Sequence, residues 1–178
     1  VWRGVIGDRG FILCPRGIPR RDVPKSADRW EYGSLKSVEA EIDAGLTALR
    51  ERFGAHVDPG PMLLIGFSLG AIYGAPLALK YPERYPRVVM VEGGQGRWTW
   101  ANAKRFVEGG GQRLFIACGQ GACLQEAKKL GRTLEKAGLP TRSGGASKAG
   151  HTYDGEVAAA VARDFSWLVE GDPRWEGP

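Results

Sequence analysis

The sequence carries a serine in a setting that is typical of a catalytic nucleophile. Ser68 lies at the centre of the sequence G-F-S-L-G (66–70), and the apolar sequence M-L-L-I (62–65) precedes it. A strand, a sharp turn and a helix in this order hold the serine in a strained conformation, with its hydroxyl above the sheet. The N–H of Leu69, where the helix begins, then faces a developing oxyanion. The pattern predicts a nucleophile for acyl transfer, although glycines that serve only tight packing of strand and helix would also produce it.

Two histidines are candidates for the base that a serine nucleophile needs. His56 follows a predicted helix and precedes the strand of Ser68, which places it at the amino-terminal edge of the sheet, the wrong edge for the hydroxyl. His151 follows the last strand-like segment and precedes the final helix, at the opposite edge. Chain order therefore predicts His151 as the base. The alternative is a loop histidine that bonds only nearby backbone.

Apolar runs alternate with segments of helical periodicity, which predicts an α/β fold with a mainly parallel sheet flanked by helices. The predicted strands are residues 11–14, 62–66, 87–92, 113–118 and, with a weaker pattern, 140–143. The predicted helices are residues 36–53, 122–137 and 154–169, besides the one that follows Ser68. No repeat or interdomain linker interrupts this order, so we predict a single domain over residues 1–178.

Composition and charge exclude several classes of protein. The chain has 178 residues and a formal net charge of +5, with basic residues mostly interleaved with acidic ones. We interpret this charge as a solvated surface, because no nucleic-acid-binding motif is present. No apolar run approaches the roughly 20 residues of a membrane span. A signal peptide is not evident, but the first residue is not Met, so both a cytoplasmic and an exported location stay open.

The three cysteines, Cys14, Cys118 and Cys123, allow two interpretations. Cys118 and Cys123 are close enough in sequence for a loop disulfide. Alternatively, Cys14 and Cys118 end apolar strands as small buried hydrophobic residues. With two histidines and no C-x-x-C pair, the sequence predicts no zinc site and no other metal or cofactor.

Residues 11–168 resemble the α/β-hydrolase superfamily, in particular its small phospholipase/carboxylesterase and dienelactone-hydrolase-like branch. The resemblance depends on F-I-L-C-P-R-G (11–17), G-F-S-L-G with the later Y-P-E-R-Y (81–85), K-A-G-L-P (136–140) and the late G-H (150–151). It implies that a small-molecule carboxylic ester is hydrolysed through an acyl-enzyme. In that mechanism Ser68 attacks, His151 shuttles the proton, and backbone amides hold the oxyanion.

The acid of the triad departs from the family pattern. The family usually carries it on the loop after the strand 113–118, where this sequence has G-Q-G-A (119–122). Some members place it one strand earlier, and here that strand ends in Glu92. We therefore predict that Glu92 orients His151 through a hydrogen bond of about 2.6–3.2 Å. The alternatives are Asp154, which better suits the N-cap of the last helix, and a Glu92 that only pairs with an arginine.

The start of the chain is the second departure. The resemblance makes residues 11–14 the family's fourth strand, so the third strand and its His-Gly oxyanion loop would precede Val1. We expect an N-terminally incomplete domain, a separate upstream segment that completes the sheet, or a sheet that closes differently. The second oxyanion donor stays unassigned. The alternatives to an ester hydrolase are a peptidase or thioesterase on the same scaffold and a non-catalytic binding protein of this fold.

Overall fold

A computed structural model describes residues 2–24, 26 and 29–175. The chain divides into two compact units, Phe11–Gly60 and Val1–Gly10 with Pro61–Pro178. The helices and strands are, in chain order, α1 (Trp2–Ile6), β1 (Ile18–Pro19), β2 (Trp30–Glu31), α2 (Leu35–Phe53), β3 (Leu63–Phe67), α3 (Leu69–Lys80), β4 (Arg87–Val91), α4 (Trp100–Glu108), β5 (Arg113–Cys118), α5 (Gly121–Lys136), β6 (Thr141–Gly145) and α6 (Gly155–Val169).

The smaller unit, Phe11–Gly60, is built on α2. This helix begins at the N-cap Ser34, whose hydroxyl accepts from the N–H of Ser37 while the Ser37 side chain accepts from the N–H of Ser34. Such a reciprocal cap satisfies two N–H groups that a helix start leaves without partners. The short strands β1 and β2 pair antiparallel in the same unit.

The predicted strand at residues 11–14 is wrong. These residues have no regular secondary structure, and Phe11 is 45% exposed. Phe11 and Leu13 contact α2 instead: the Phe11 and Phe53 rings are 4.8 Å apart, and a Cβ at Gly45 would lie 2.4 Å from Leu13 Cδ1. A strand needs a neighbour that takes its backbone N–H and C=O groups. A helix can cover apolar side chains, but it offers no free backbone groups with which a strand could pair.

The larger unit holds a four-stranded sheet in the order β3-β4-β5-β6, and all three strand pairs are parallel. The prediction of an α/β fold with a parallel sheet flanked by helices is confirmed for this unit, with strand ends that shift by one or two residues. Val89, Val91 and Phe115 pack with α1 and α6 on one face. On the other face Met90 lies close to Gly74 of α3. Helices on both faces explain why β4 is buried along its whole length.

Helix α4 is not among the predicted helices. Its N-cap Thr99 accepts a hydrogen bond from the N–H of Asn102. Beside this cap, Trp98 is 2% exposed, and its ring packs edge-to-face on Phe106 at 5.1 Å. The helix has nine residues, of which Ala103 and Phe106 are buried. So few buried positions make a helical period hard to recognise in the sequence.

An ion pair anchors the start of β4 in the larger unit. Asp172 accepts from the Arg87 guanidinium at 3.1 Å, and both side chains are 7% exposed or less. Arg174 also bonds the Asp172 carboxylate, at 2.6 and 2.8 Å. The hydrogen bond from Arg174 lowers the pKa of Asp172, and burial opposes that shift without cancelling it. Burial lowers the pKa of Arg87, and the Asp172 charge opposes this.

Within residues 2–24, 26 and 29–175, no helix combines the length and the apolar character that crossing a membrane requires.

Candidate active site

Ser68 and Glu92 follow adjacent parallel strands at the same edge of the sheet. The register pairs Phe67 of β3 with Val91 of β4. The ladder continues one step further, because the Ser68 N–H donates to the Val91 carbonyl at 2.8 Å and the Glu92 N–H donates to the Ala117 carbonyl at 3.0 Å. The carboxyl ends of parallel strands meet at one edge, where α/β folds bind their ligands.

The backbone is strained at both of these residues. Ser68 has φ 50° and ψ −114°, and Glu92 has φ 51°. In the described part of the chain they are the two non-glycine residues with positive φ. Such a conformation costs about 1–3 kcal/mol, and strained residues of this kind cluster at functional sites. Here they stand at equivalent positions after neighbouring strands.

Glycines next to Ser68 and Glu92 make room for the tight turns. A Cβ on Gly66 would lie 2.6 Å from the Ala71 Cα, and a Cβ on Gly93 would lie 2.8 Å from the Ser68 carbonyl oxygen. Around Gly70, in contrast, a Cβ would meet nothing within 4 Å. Packing therefore requires the first glycine of G-F-S-L-G and not the second. The sequence pattern does not distinguish these two glycines, and it does not mark Gly93.

His151 lies in the loop between β6 and α6, and its Nε2 is 2.8 Å from the Ser68 Oγ. This is hydrogen-bond distance, and the structure thus brings together the two residues that the sequence analysis paired. The imidazole ring is tilted on the Phe67 ring at 5.1 Å, and Phe67 contacts Tyr153 edge-on at 4.7 Å. About half of the His151 side chain, 49%, is exposed.

Glu92 lies beside the other ring nitrogen of His151. Its Oε2 is 3.5 Å from Nδ1, and its side chain is 4% exposed. The distance is longer than the predicted 2.6–3.2 Å, because neighbouring groups already hold the carboxylate. Oε1 accepts the N–H of Gly119, and Oε2 accepts the side-chain amide of Gln120 at 3.2 Å. The carboxylate thus faces Nδ1, the ring nitrogen that does not bond Ser68, but forms no short hydrogen bond with it.

Asp154, the alternative acid, occupies the N-cap position of α6. It caps the helix through its carbonyl, which accepts the N–H of Val157 at 3.1 Å. Its carboxylate makes no bond to the helix N–H groups and accepts instead from the Thr152 hydroxyl. The predicted position is correct, but the side chain does not form the cap bond.

Two residues to which the sequence assigned no role, Gly119 and Gln120, connect Glu92 to His151. The Gly119 N–H bonds Glu92, and its carbonyl accepts the N–H of Gly150 at 2.9 Å, directly before His151. A Cβ at Gly119 would lie 2.1 Å from the Gly150 carbonyl oxygen. The Gln120 amide nitrogen is also 3.5 Å from the His151 Nδ1. The sequence signal for these two residues is G-Q-G-A (119–122), which stands where the resemblance led us to expect an acid.

The cysteines resolve into one disulfide and one free thiol. Cys118 and Cys123 are disulfide-bonded, with 5.7 Å between their Cα atoms. Cys118 is fully buried at the end of β5, as expected of a strand-end cysteine. The expectation that Cys14 is buried is wrong, because residues 11–14 are outside the sheet and the thiol is exposed.

The first turn of α3 supplies a candidate oxyanion donor. The N–H groups of Ala71 and Ile72 both donate to the Ser68 carbonyl at 3.0 Å. Leu69 is the first residue of the helix, where an N–H has no intrahelical acceptor, and the helix dipole adds partial positive charge. The side chains of Leu69 and Ile72 are 37% and 50% exposed. The turn therefore combines a donor with apolar surface beside Ser68.

The described residues contain no group of three or more side chains that could hold a metal ion. No family model, no curated protein and no solved structure matches the chain. The structure thus establishes the class, an α/β protein with a four-stranded parallel sheet. Its function must be inferred from the geometry of the site.

Proposed function

We propose that this protein is a serine hydrolase of the α/β-hydrolase type that cleaves carboxylic esters. The observation that carries the proposal is the 2.8 Å contact between the His151 Nε2 and the Ser68 Oγ at the carboxyl edge of a parallel sheet. The strained φ of Ser68 supports it, because a merely structural serine at a strand end has no need of such a conformation.

The chemistry follows from the groups around Ser68. Its Oγ attacks the ester carbonyl carbon and passes its proton to the His151 Nε2, while the Leu69 N–H donates to the oxyanion. The imidazolium then protonates the departing alkoxide, which leaves an acyl group on Ser68. A water molecule, deprotonated by His151, attacks this acyl-enzyme and releases the carboxylic acid.

Glu92 acts in this scheme through His151. A carboxylate beside Nδ1 favours the tautomer that carries its proton on Nδ1, which leaves Nε2 free to accept from Ser68. It also stabilises the imidazolium that forms during the attack. The 3.5 Å separation is longer than in an optimal pair. Catalytic hydrogen bonds are often long in the free enzyme and shorten with substrate bound.

The surroundings of Ser68 favour an apolar acyl or aryl group in the substrate. Phe67 packs beside His151, Tyr153 packs on Phe67, and Trp2 stacks on Tyr153 at 6.4 Å. Leu69 and Ile72 add exposed apolar surface on α3. Aryl esters with short acyl chains are therefore suitable test substrates.

The test compares wild type with Ser68→Ala. Wild type is expected to react with a fluorophosphonate probe and to hydrolyse p-nitrophenyl acetate or butyrate. The variant is expected to lose labelling and several orders of magnitude in kcat, because it lacks the nucleophile. Ser166→Ala, on the exposed face of α6, is the matched control and keeps both activities. Labelling of Ser68→Ala at the wild-type rate would refute the assignment.

The second candidate is a non-catalytic binding protein of the same fold. The observation that favours it is the Gln120 amide, which donates to the Glu92 oxygen nearest to His151. A properly folded wild type that neither labels nor hydrolyses esters would support this candidate. Assays with a thioester and a peptide amide separate the ester hydrolase from a thioesterase or a peptidase on the same scaffold.

A further inference from the structure

A disulfide closes the loop that holds both the acid and the base. Cys118 is the last residue of β5, and Cys123, five positions later, lies in the first turn of α5. Gly119 and Gln120 lie between them. The loop enclosed by the disulfide is therefore the one that contacts Glu92 and His151.

Backbone groups of this loop link the two catalytic segments. Gly119 donates its N–H to Glu92 and accepts the N–H of Gly150, which directly precedes His151. The carbonyl of Cys118 accepts the N–H of Ala146, from the same loop as His151, at 2.9 Å. A shift of residues 118–120 would move the carboxylate and the imidazole relative to each other.

The sulfur atoms themselves contact the segment that follows Glu92. The side-chain amide of Gln95 lies 3.1 Å from the Cys123 Sγ and 3.8 Å from the Cys118 Sγ. Cys118 is fully buried, whereas Cys123 is partly exposed. A reductant in solution thus reaches the Cys123 sulfur first.

We infer that the Cys118–Cys123 disulfide is a positioning element for Glu92 and His151, so that its oxidation state sets the rate of the reaction at Ser68. The inference rests on the proposed serine hydrolase function. With the disulfide intact, the loop has one arrangement, in which Glu92 faces His151. With it open, residues 119 and 120 lose the covalent restraint, and the two side chains separate for part of the time.

The chemical step requires a dithiol as the reductant. One of its thiolates attacks the Cys123 Sγ, the S–S bond breaks, and the Cys118 sulfur leaves and takes a proton. The second thiol of the reductant then displaces Cys123 from the mixed disulfide. Two electrons and two protons pass to the protein, which gains two thiols, and the dithiol becomes a disulfide.

The first experiment measures wild type in both oxidation states. Dithiothreitol is removed by anaerobic gel filtration before the assay, and alkylation followed by mass measurement shows one thiol in the oxidised protein and three in the reduced one. We expect reduction to lower kcat for a p-nitrophenyl ester at least about tenfold. We expect KM to stay within about threefold, since positioning acts on the transition state. Reoxidation should restore kcat.

Variants separate positioning from a loss of fold. Cys118→Ala/Cys123→Ala is expected to have the kcat of the reduced protein and no response to dithiothreitol. Cys14→Ser, which removes the exposed free thiol, should respond as wild type does. Gln120→Ala removes one donor to Glu92 but keeps the disulfide, so its kcat should still fall on reduction as that of wild type does.

The outcomes distinguish this inference from the proposed function. Reduced protein that is folded by circular dichroism and keeps kcat within twofold overturns the inference and leaves the hydrolase intact. If reduction unfolds the protein, the disulfide holds the fold as a whole rather than the positions of Glu92 and His151, and the inference is overturned. Oxidised wild type that neither labels nor hydrolyses esters refutes the proposed function, and the inference falls with it.

Discussion

The replacement of Glu92 by Gln removes the negative charge beside His151 while it preserves the shape of the side chain. In the structure the carboxylate faces the ring at 3.5 Å and is 4% exposed. An amide in its place would have to direct its NH₂ group toward either the Gly119 N–H or the Gln120 amide, and both are donors. The substitution thus affects catalysis and, separately, the loop.

The expected decrease in kcat follows from the distance between the Glu92 carboxylate and the His151 ring. Two unit charges 3.5 Å apart interact by about 5 kcal/mol at an effective dielectric constant of about 20. Half of the His151 side chain is in contact with solvent, which screens the pair, so we expect about 3–4 kcal/mol of lost transition-state stabilisation. This corresponds to a decrease in kcat of about 10²- to 10³-fold. In addition, the NH₂ group of the new glutamine would face another N–H donor, which lowers the free energy of unfolding by about 1–3 kcal/mol.

The assay is kcat and KM for a p-nitrophenyl ester, with thermal unfolding measured on the same samples. Because the expected loss is in kcat, KM should change little. Asp154→Asn is the control, since this carboxylate bonds Thr152 and should leave kcat within about threefold. A folded Glu92→Gln variant with kcat within threefold of wild type would refute the reasoning, as would a large loss in Asp154→Asn instead.

Three further predictions concern the base, the turn and the buried ion pair. His151→Gln should lower kcat by several orders of magnitude, because the His151 Nε2 bonds the serine hydroxyl. His56→Gln, which chain order places at the other edge of the sheet, should leave kcat unchanged, and comparable losses in the two variants would contradict this. Gly66→Ala should lower the free energy of unfolding in urea by about 3 kcal/mol, because the new Cβ would lie 2.6 Å from the backbone. Gly70→Ala should leave that free energy unchanged or raise it, and equal effects of the two substitutions would contradict this. Asp172→Asn should lower the free energy of unfolding at pH 7 by about 3–5 kcal/mol, because the buried guanidinium of Arg87 loses its charged partner. The pKa of Asp172 is lowered in the fold, so this loss should shrink as pH falls below about 4, and a loss independent of pH would contradict it.

The parallel sheet and the turn at Ser68 could be predicted from the sequence, because both depend on local patterns. Continuous apolar runs mark strands that are buried on both faces, and Gly66 allows the close approach that the turn requires. The pairing of Ser68 with His151 followed from chain order alone. In a parallel sheet every carboxyl end lies at one edge, so a residue after the last strand falls on the same side as the serine.

Only the tertiary structure decided how the Glu92 carboxylate is held. The 3.5 Å between Glu92 and His151 results from bonds that Gly119 and Gln120 make across the sheet edge, and no local pattern specifies such contacts. The apolar run at residues 11–14 shows the same limit: it has the composition of a strand, but Phe11 and Leu13 contact α2 and the run joins no sheet. A sequence shows which residues must be buried, whereas the partner that buries or bonds each of them is set by the arrangement of distant segments.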